Sequence, residues 1–246
     1  MIDYNSFTKA VIRANKELYE YINTRLSSFD LEESNTIGFG GDNSLNIDIS
    51  AEKIFIKHLS SFGDIYSEEV GLLSSNSNVK IIIDPIDGSH NFQSQLPYYG
   101  TSVALQIDGV SKAGYVCNLA NATMIYREDG DIKEISLIDE SEYKSILLEK
   151  SAFSIFERAY AYPKICEALY ENKIKFRSPG AAALSLANAR NYTFVLFAGK
   201  IREFDIAAAI HICDNLFIHK DDEFLIVTKS EQILELIKGI IKNNRL

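Results

Sequence analysis

Asp84-Pro85-Ile86-Asp87-Gly88-Ser89-His90-Asn91-Phe92 follows directly on the apolar run Val79-Lys80-Ile81-Ile82-Ile83. A β-branched stretch of this kind predicts a buried strand, and the proline and glycine mark where it leaves its sheet. Pro85 fixes φ and is expected to stop the strand, Gly88 permits a tight turn, and Ser89 suits the cap of a following helix. Asp84 and Asp87 then leave one turn together at the strand's carboxyl end. Such a pair suits one hard cation or the bridging of two, and helix-start N–H groups near Ser89 suit an incoming anion. Taken by itself, the segment is equally well read as an Asp-Pro and Asp-Gly surface turn.

Working outward, Phe7, Val11, Ala14, Leu18, Ile22 and Leu26 recur at intervals of three and four, which predicts an opening helix with one packing stripe. Asp30 to Asn46 is polar and carries Gly38, Gly40 and Gly41, so a loop or short hairpin is expected there. A second helix follows over Asp48 to Phe62, with Ile54, Phe55 and Leu59 inward. Downstream, strands are expected at Gly100 to Ile107, Ala113 to Asn118, Met124 to Arg127 and Glu134 to Ser136. Turn signals at Asp108-Gly109 and Asp129-Gly130 make them an antiparallel meander. The second half alternates: a strand near Ser145 to Glu149, helices near Phe156 to Glu171 and Ala181 to Ala189, and a strand near Tyr192 to Phe197. A helix over Asp205 to Cys213, a strand at Phe224 to Thr228 and a helix from about Ser230 complete it. The pattern predicts an α/β (α+β) chain with helices layered on sheets. Without repeats or linkers, residues 1–246 are expected to form one compact unit, with an N-terminal α+β lobe over 1–140 and a C-terminal α/β lobe over 141–246.

With 246 residues, 46% of them hydrophobic, the chain can bury a large core. Its 34 acidic residues outnumber 25 Lys and Arg, giving a net charge of -9 and arguing against nucleic acid or an anionic membrane as partner. The three cysteines, Cys117, Cys166 and Cys213, lack metal-site spacing and are expected to be buried structural residues in a reducing compartment. No signal peptide or membrane-length apolar run is found, so a cytoplasmic protein is expected.

Three further segments carry candidate chemistry. Ser67-Glu68-Glu69 follows the apolar pair Ile65-Tyr66 and suits a strand end, although paired Glu residues are also common as solvated charge. Phe204-Asp205-Ile206-Ala207-Ala208 places Asp205 at the start of a small-residue helix, where an ordinary N-cap reads equally well. Arg177-Ser178-Pro179-Gly180-Ala181-Ala182-Ala183 leads into a second helix of small residues, suited to close ligand approach or to plain packing.

In their combination and order, Ser67-Glu68-Glu69, Asp84 to Phe92 and Phe204 to Ala208 resemble the inositol monophosphatase superfamily, the magnesium-dependent, lithium-sensitive sugar phosphatases. The resemblance covers most of residues 5–215. It is nearest the archaeal-type inositol monophosphatase/fructose-1,6-bisphosphatases, through Ile37-Gly38-Phe39-Gly40-Gly41-Asp42, Ile47-Asp48-Ile49-Ser50-Ala51-Glu52 and Gly199-Lys200-Ile201-Arg202. It implies a layered α/β/α/β/α sandwich, usually a homodimer. It also implies two to three Mg²⁺ ions, with Mn²⁺ as substitute: one held by Glu68, Asp84 and the Ile86 carbonyl, one by Asp84, Asp87 and Asp205, and a looser third near Glu68. Glu68, Ser89 and Asp48 are the catalytic set so implied, with Ser89 orienting water. Asp87, Gly88, Ser89, Arg177, Gly180, Ala181 and Asp205 are the expected substrate contacts, and Asp42 with its glycine loop the mobile segment. The substrate implied is a small phosphorylated metabolite, inositol monophosphate and/or fructose 1,6-bisphosphate. An all-oxygen ligand set suits a hard ion, and metal-activated water suits attack on an anionic monoester.

The chain departs from the pattern at Ala181, where relatives carry Ser or Thr, at Ala198, where a sugar-selecting Glu or Arg is common, and at His90. A nucleotide phosphatase acting on 3′-phosphoadenosine phosphates or NADP is therefore an alternative, with Arg177 and Arg202 as contacts for a second phosphate. A catalytically weak metal-binding regulatory protein is another. An aspartyl-nucleophile phosphatase is disfavoured, because its two Asp residues lie two apart and here the spacing is three.

Overall fold

The structure is a computed structural model that describes residues 2–41, 43–74 and 76–244. The opening stripe forms α1 (Tyr4–Thr24), begun by Asp3, whose side chain accepts from the Asn5 N–H at 3.1 Å. The glycine-bearing stretch forms a hairpin, β1 (Glu33–Ile37) and β2 (Asn43–Leu45), that leads into α2 (Asn46–Leu59). Next come β3 (Asp64–Ser67), β4 (Gly71–Leu73), β5 (Val79–Asp87) and the short α3 (Ser89–Gln93). The expected meander is β6 (Gly100–Ile107), β7 (Val110–Asn118), β8 (Thr123–Arg127) and β9 (Lys133–Ser136), extended by β10 (Glu142–Tyr143). These strands form one eight-stranded sheet in the order β10-β9-β8-β7-β6-β5-β3-β4, antiparallel except for β3 beside β5.

The rest of the chain runs β11 (Ser154–Glu157), α4 (Pro163–Glu171), β12 (Phe176–Arg177), α5 (Ala182–Ala187), β13 (Phe194–Ala198) and α6 (Glu203–Ile212). It ends in β14 (Phe217–Lys220), β15 (Phe224–Thr228) and α7 (Glu231–Asn244). Its five strands pair in the order β12-β11-β13-β15-β14.

Alternation along the strands sorts side chains into three cores. Ile81 and Ile83 of β5 pack with Phe7 and Val11 of α1 and Phe55 of α2, whereas Ile82 joins Leu184 of α5 and Ala208 of α6. Val195 and Phe197 of β13 meet that middle core from the second sheet, while Phe194 and Leu196 face Leu169 of α4 and Ile237 of α7. The layers thus run α/β/α/β/α, the expected sandwich.

Two expectations fail in the second half. No strand forms over residues 145–149, and Ile146, Leu147 and Leu148 are exposed. The helix expected from Phe156 starts only at Pro163, and Ser154–Glu157 is instead a strand held parallel between β12 and β13. All four residues of β11 are buried, so no alternation distinguished it from a helix turn. Pro163, with φ already helical and no N–H to lose, sets the helix start. Cys117 and Cys213 are buried and Cys166 half-buried. No helix among the described residues is long and apolar enough to cross a membrane.

Candidate active site

Ser67 of β3 pairs with Ile83 of the parallel β5, so Glu68, just past the end of β3, stands beside Asp84 of β5. Ligands bind at such edges of α/β sheets. Pro85 does not end the pairing: Asp84 lies opposite Ser102 and Asp87 opposite Gly100, so β5 carries one extra residue in a bulge. A bulge leaves one backbone group outside the ladder, which is where a proline is tolerated. The Ile86 N–H donates to Asp84 Oδ1 at 3.0 Å, and Gly88 turns the chain at φ 90°.

Ser89 is not the cap of α3, because Gly88 holds that position. The Ser89 Oγ instead lies 3.0 Å from the Ile86 carbonyl and 3.2 Å from the Asp48 carboxylate, in reach to donate to either. Asp48, in the first turn of α2, uses its other oxygen to accept from the Leu45 N–H at 2.7 Å. That bond closes the helix start as in a capping box, and it fixes the carboxylate that faces Ser89.

From the middle layer, α6 begins after Arg202 and carries Asp205 in its first turn. Glu68, Asp84 and Asp205 each place a carboxylate oxygen within 4.8 Å of the other two. Asp87 accepts from the Leu184 N–H at 2.8 Å and lines the same cavity of about 960 Å³, with Ile86, Gly88, Ser89 and Gly180. The Gly40 N–H donates to the Glu68 carbonyl at 2.8 Å, and a Cβ at residue 40 would stand 2.8 Å from Glu68 Oε1. Only glycine lets this loop lie so close to the acid. Asp42, expected in the mobile segment, lies outside the described residues.

Burial raises the carboxyls here: Asp48 to about 7, Glu68 to about 8, Asp87 to about 7, and Asp84 well above the usual range. The charges of neighbouring acids push the same way. Arg202 offsets part of this, reaching Glu68 at 2.5 Å and Asp205 at 3.0 Å. Once ionised, four acidic side chains against one guanidinium leave a surplus of negative charge. With donors that are all oxygen, that surplus fits a hard divalent cation.

The remaining expected residues divide. Gly180, at φ 88°, donates its N–H to Glu157 Oε2 at 2.9 Å, and Ala181 is buried beneath Gly88. Arg177 is exposed on β12, with its guanidinium 5.5 Å from the centre of the Phe153 ring, and does not line the cavity. The cavity residues not anticipated include the charged pair Glu157 and Arg158. Glu157 is buried and accepts from Ser185 Oγ at 2.5 Å. Like Asp84 it is an acid ending an apolar strand, a signal hidden because Phe156 was assigned to a helix.

A layered α/β sandwich with an all-oxygen acidic cluster at the ends of parallel strands is the class that fold and site define. The chain belongs to the inositol monophosphatase family, whose family model matches residues 3–216. It is 29% identical over 215 residues, 83% of this chain and 80% of the relative, to the Nus factor SuhB of Haemophilus influenzae. It is 26% identical to a fructose-1,6-bisphosphatase/inositol-1-monophosphatase of Methanothermobacter thermautotrophicus, over 95% of this chain and 83% of that protein. The structure of Thermotoga maritima IMPase superposes with a TM-score of 0.74 at 21% identity, covering 98% and 99% of the two chains. Family membership and these names support a phosphatase-type hydrolase.

Proposed function

We propose that the chain is a Mg²⁺-dependent phosphomonoesterase acting on small phosphorylated metabolites, with inositol monophosphate and fructose 1,6-bisphosphate as the leading candidates. The observation that carries this reading is the convergence of Glu68, Asp84 and Asp205, from three separate segments, to within 4.8 Å. Those three, with Asp87 and the Ile86 carbonyl, would hold two to three Mg²⁺ ions, for which Mn²⁺ would substitute. When bound, such ions lower the pKa of water, neutralise phosphate oxygens and stabilise the leaving alkoxide.

The protein's own part is orientation and proton handling. Ser89 Oγ positions the attacking water and accepts a proton from it while passing its own hydroxyl proton to Asp48, whose carboxyl is raised to about 7 mainly by burial. Glu157 and Asp87 fix the chain around α5 through the Gly180 and Leu184 N–H groups, which gives the cavity wall a defined shape. A cytoplasmic homodimer inhibited by lithium belongs to the same proposal.

The test is phosphate release from inositol 1-phosphate, fructose 1,6-bisphosphate, NADP and 3′-phosphoadenosine 5′-phosphate, with Mg²⁺ and with EDTA. Mg²⁺-dependent release from at least one is expected. Similarity to relatives named Nus factor over 83% of the chain favours a second reading, a metal-binding regulatory protein. No release from any of the four would leave that second reading in place.

A further inference from the structure

The cavity that holds the acidic cluster extends to a wall made by Arg158, Tyr162, Phe197, Ala198 and Gly199. Glu157 of β11 pairs with Phe197 of the parallel β13, so Arg158 leaves its strand beside Ala198. Arg158 turns at φ 61°, and its guanidinium lies 5.0 Å from the centre of the Phe197 ring. A Cβ on Gly199 would come within 3.1 Å of that guanidinium. Ala198 and Gly199 leave the wall without side-chain reach, and Arg158 occupies the space.

Among the described residues two guanidiniums line this cavity, and their circumstances differ. Arg202 is bound to Glu68 and Asp205. Arg158 has no carboxylate within ion-pair distance among the described residues, and its guanidinium stands over the Phe197 ring, which uses up none of its N–H donors on an acid. A half-buried cation of this kind, in a cavity whose other charged side chains are mostly acids, is matched to an anionic group of a bound molecule.

We propose that Arg158 reads a second anionic group of the substrate, a phosphate remote from the one at the acidic cluster, and so makes bis-phosphorylated metabolites the preferred class. The inference rests on the phosphomonoesterase reading of the same site. It assigns to Arg158 the contact that sequence reasoning gave to Arg177 and Arg202, since the first lies off the cavity and the second is held by the acids.

The experiment compares the wild-type chain with Arg158→Gln and Arg158→Lys, all at one saturating Mg²⁺ concentration. KM and kcat are measured for fructose 1,6-bisphosphate, 3′-phosphoadenosine 5′-phosphate and inositol 1-phosphate. Arg158→Gln is expected to raise KM for a bisphosphate about tenfold or more. KM for the monophosphate should change less than about twofold, the range of a surface substitution, and Arg158→Lys should recover part of the loss. Which bisphosphate depends on Arg158 separates a sugar from a nucleotide source. Equal KM changes for mono- and bisphosphates, or none, overturn the inference and leave the phosphatase reading standing. If the wild type releases no phosphate, calorimetric titration with the same compounds decides. Bisphosphate binding lost in Arg158→Gln then upholds the Arg158 contact and ends the phosphatase reading, and no bisphosphate binding ends both.

Discussion

The Arg202 guanidinium lies 2.5 Å from the Glu68 carboxylate, and its other edge reaches Asp205 at 3.0 Å. One side chain at the start of α6 thus ties an acid from the end of β3 to an acid of its own helix. Buried pairs of this kind owe their importance less to the attraction itself than to the penalty of leaving one charge uncompensated.

Arg202→Gln removes the guanidinium and leaves Glu68, Asp84 and Asp205 facing one another. In EDTA the variant is expected to lose roughly 3 kcal/mol of unfolding free energy. Added Mg²⁺ should restore more stability to the variant than it adds to wild type, because binding to the folded state alone stabilises it. Urea unfolding of both proteins with and without metal measures this, and identical midpoints in EDTA would show that the pair is not holding the site together.

Stability without metal should fall as pH rises. The folded-state values of Glu68, Asp48 and Asp87 stand at about 8, 7 and 7, above their ordinary values near 4, with burial as the first cause. Across that window the folded protein binds more protons than the unfolded chain, so the free energy of unfolding decreases with pH. In EDTA the melting temperature is expected to drop between about pH 4.5 and 8, and Mg²⁺ should reverse the trend while displacing protons. A metal-free melting temperature that climbs through neutral pH would contradict the burial of these carboxyls.

Much of this site was legible because its acids sit where apolar strands stop. Ile81, Ile82 and Ile83 announce a strand buried on both faces, and the residues after it have nowhere to go but the sheet's edge. Asp205 was legible through the small residues behind it, which pack α6 between two sheets. Pro85 misled, because a bulge accommodates what an unbroken ladder refuses. Glu157 and Arg158 were missed for a related reason: four buried residues in a row carry no period, and the partners that make them a strand lie 20 to 40 residues downstream. Ile146 to Leu148 show the converse, an apolar run that finds no neighbouring strand.

Ser89→Ala separates catalysis from folding. The hydroxyl is half-buried, and Asp48 keeps its bond to the Leu45 N–H without it, so the melting temperature should barely move. Loss of a group that positions water and passes its proton costs about 100-fold or more in kcat. Phosphate release under saturating substrate gives the comparison, and an unchanged kcat would confine Ser89 to a structural part in the turn.

Asp87 has two tasks that a pair of substitutions can pull apart. Its carboxylate lines the cavity beside the acidic cluster and also accepts from the Leu184 N–H at 2.8 Å, anchoring α5. Asp87→Asn keeps an acceptor oxygen for that amide and removes the charge. Its metal-free stability should equal or exceed wild type, because one buried negative charge is gone. Turnover should fall about 100-fold or more, since altering even outer-shell partners of a metal costs 10–100-fold. Asp87→Ala also abandons the Leu184 amide, which adds a loss of about 1–3 kcal/mol. Turnover of Asp87→Asn at the wild-type rate would take this carboxylate out of the cation site. Instability equal to that of Asp87→Ala would instead mean that the charge itself, and not the accepting oxygen, holds α5 in place.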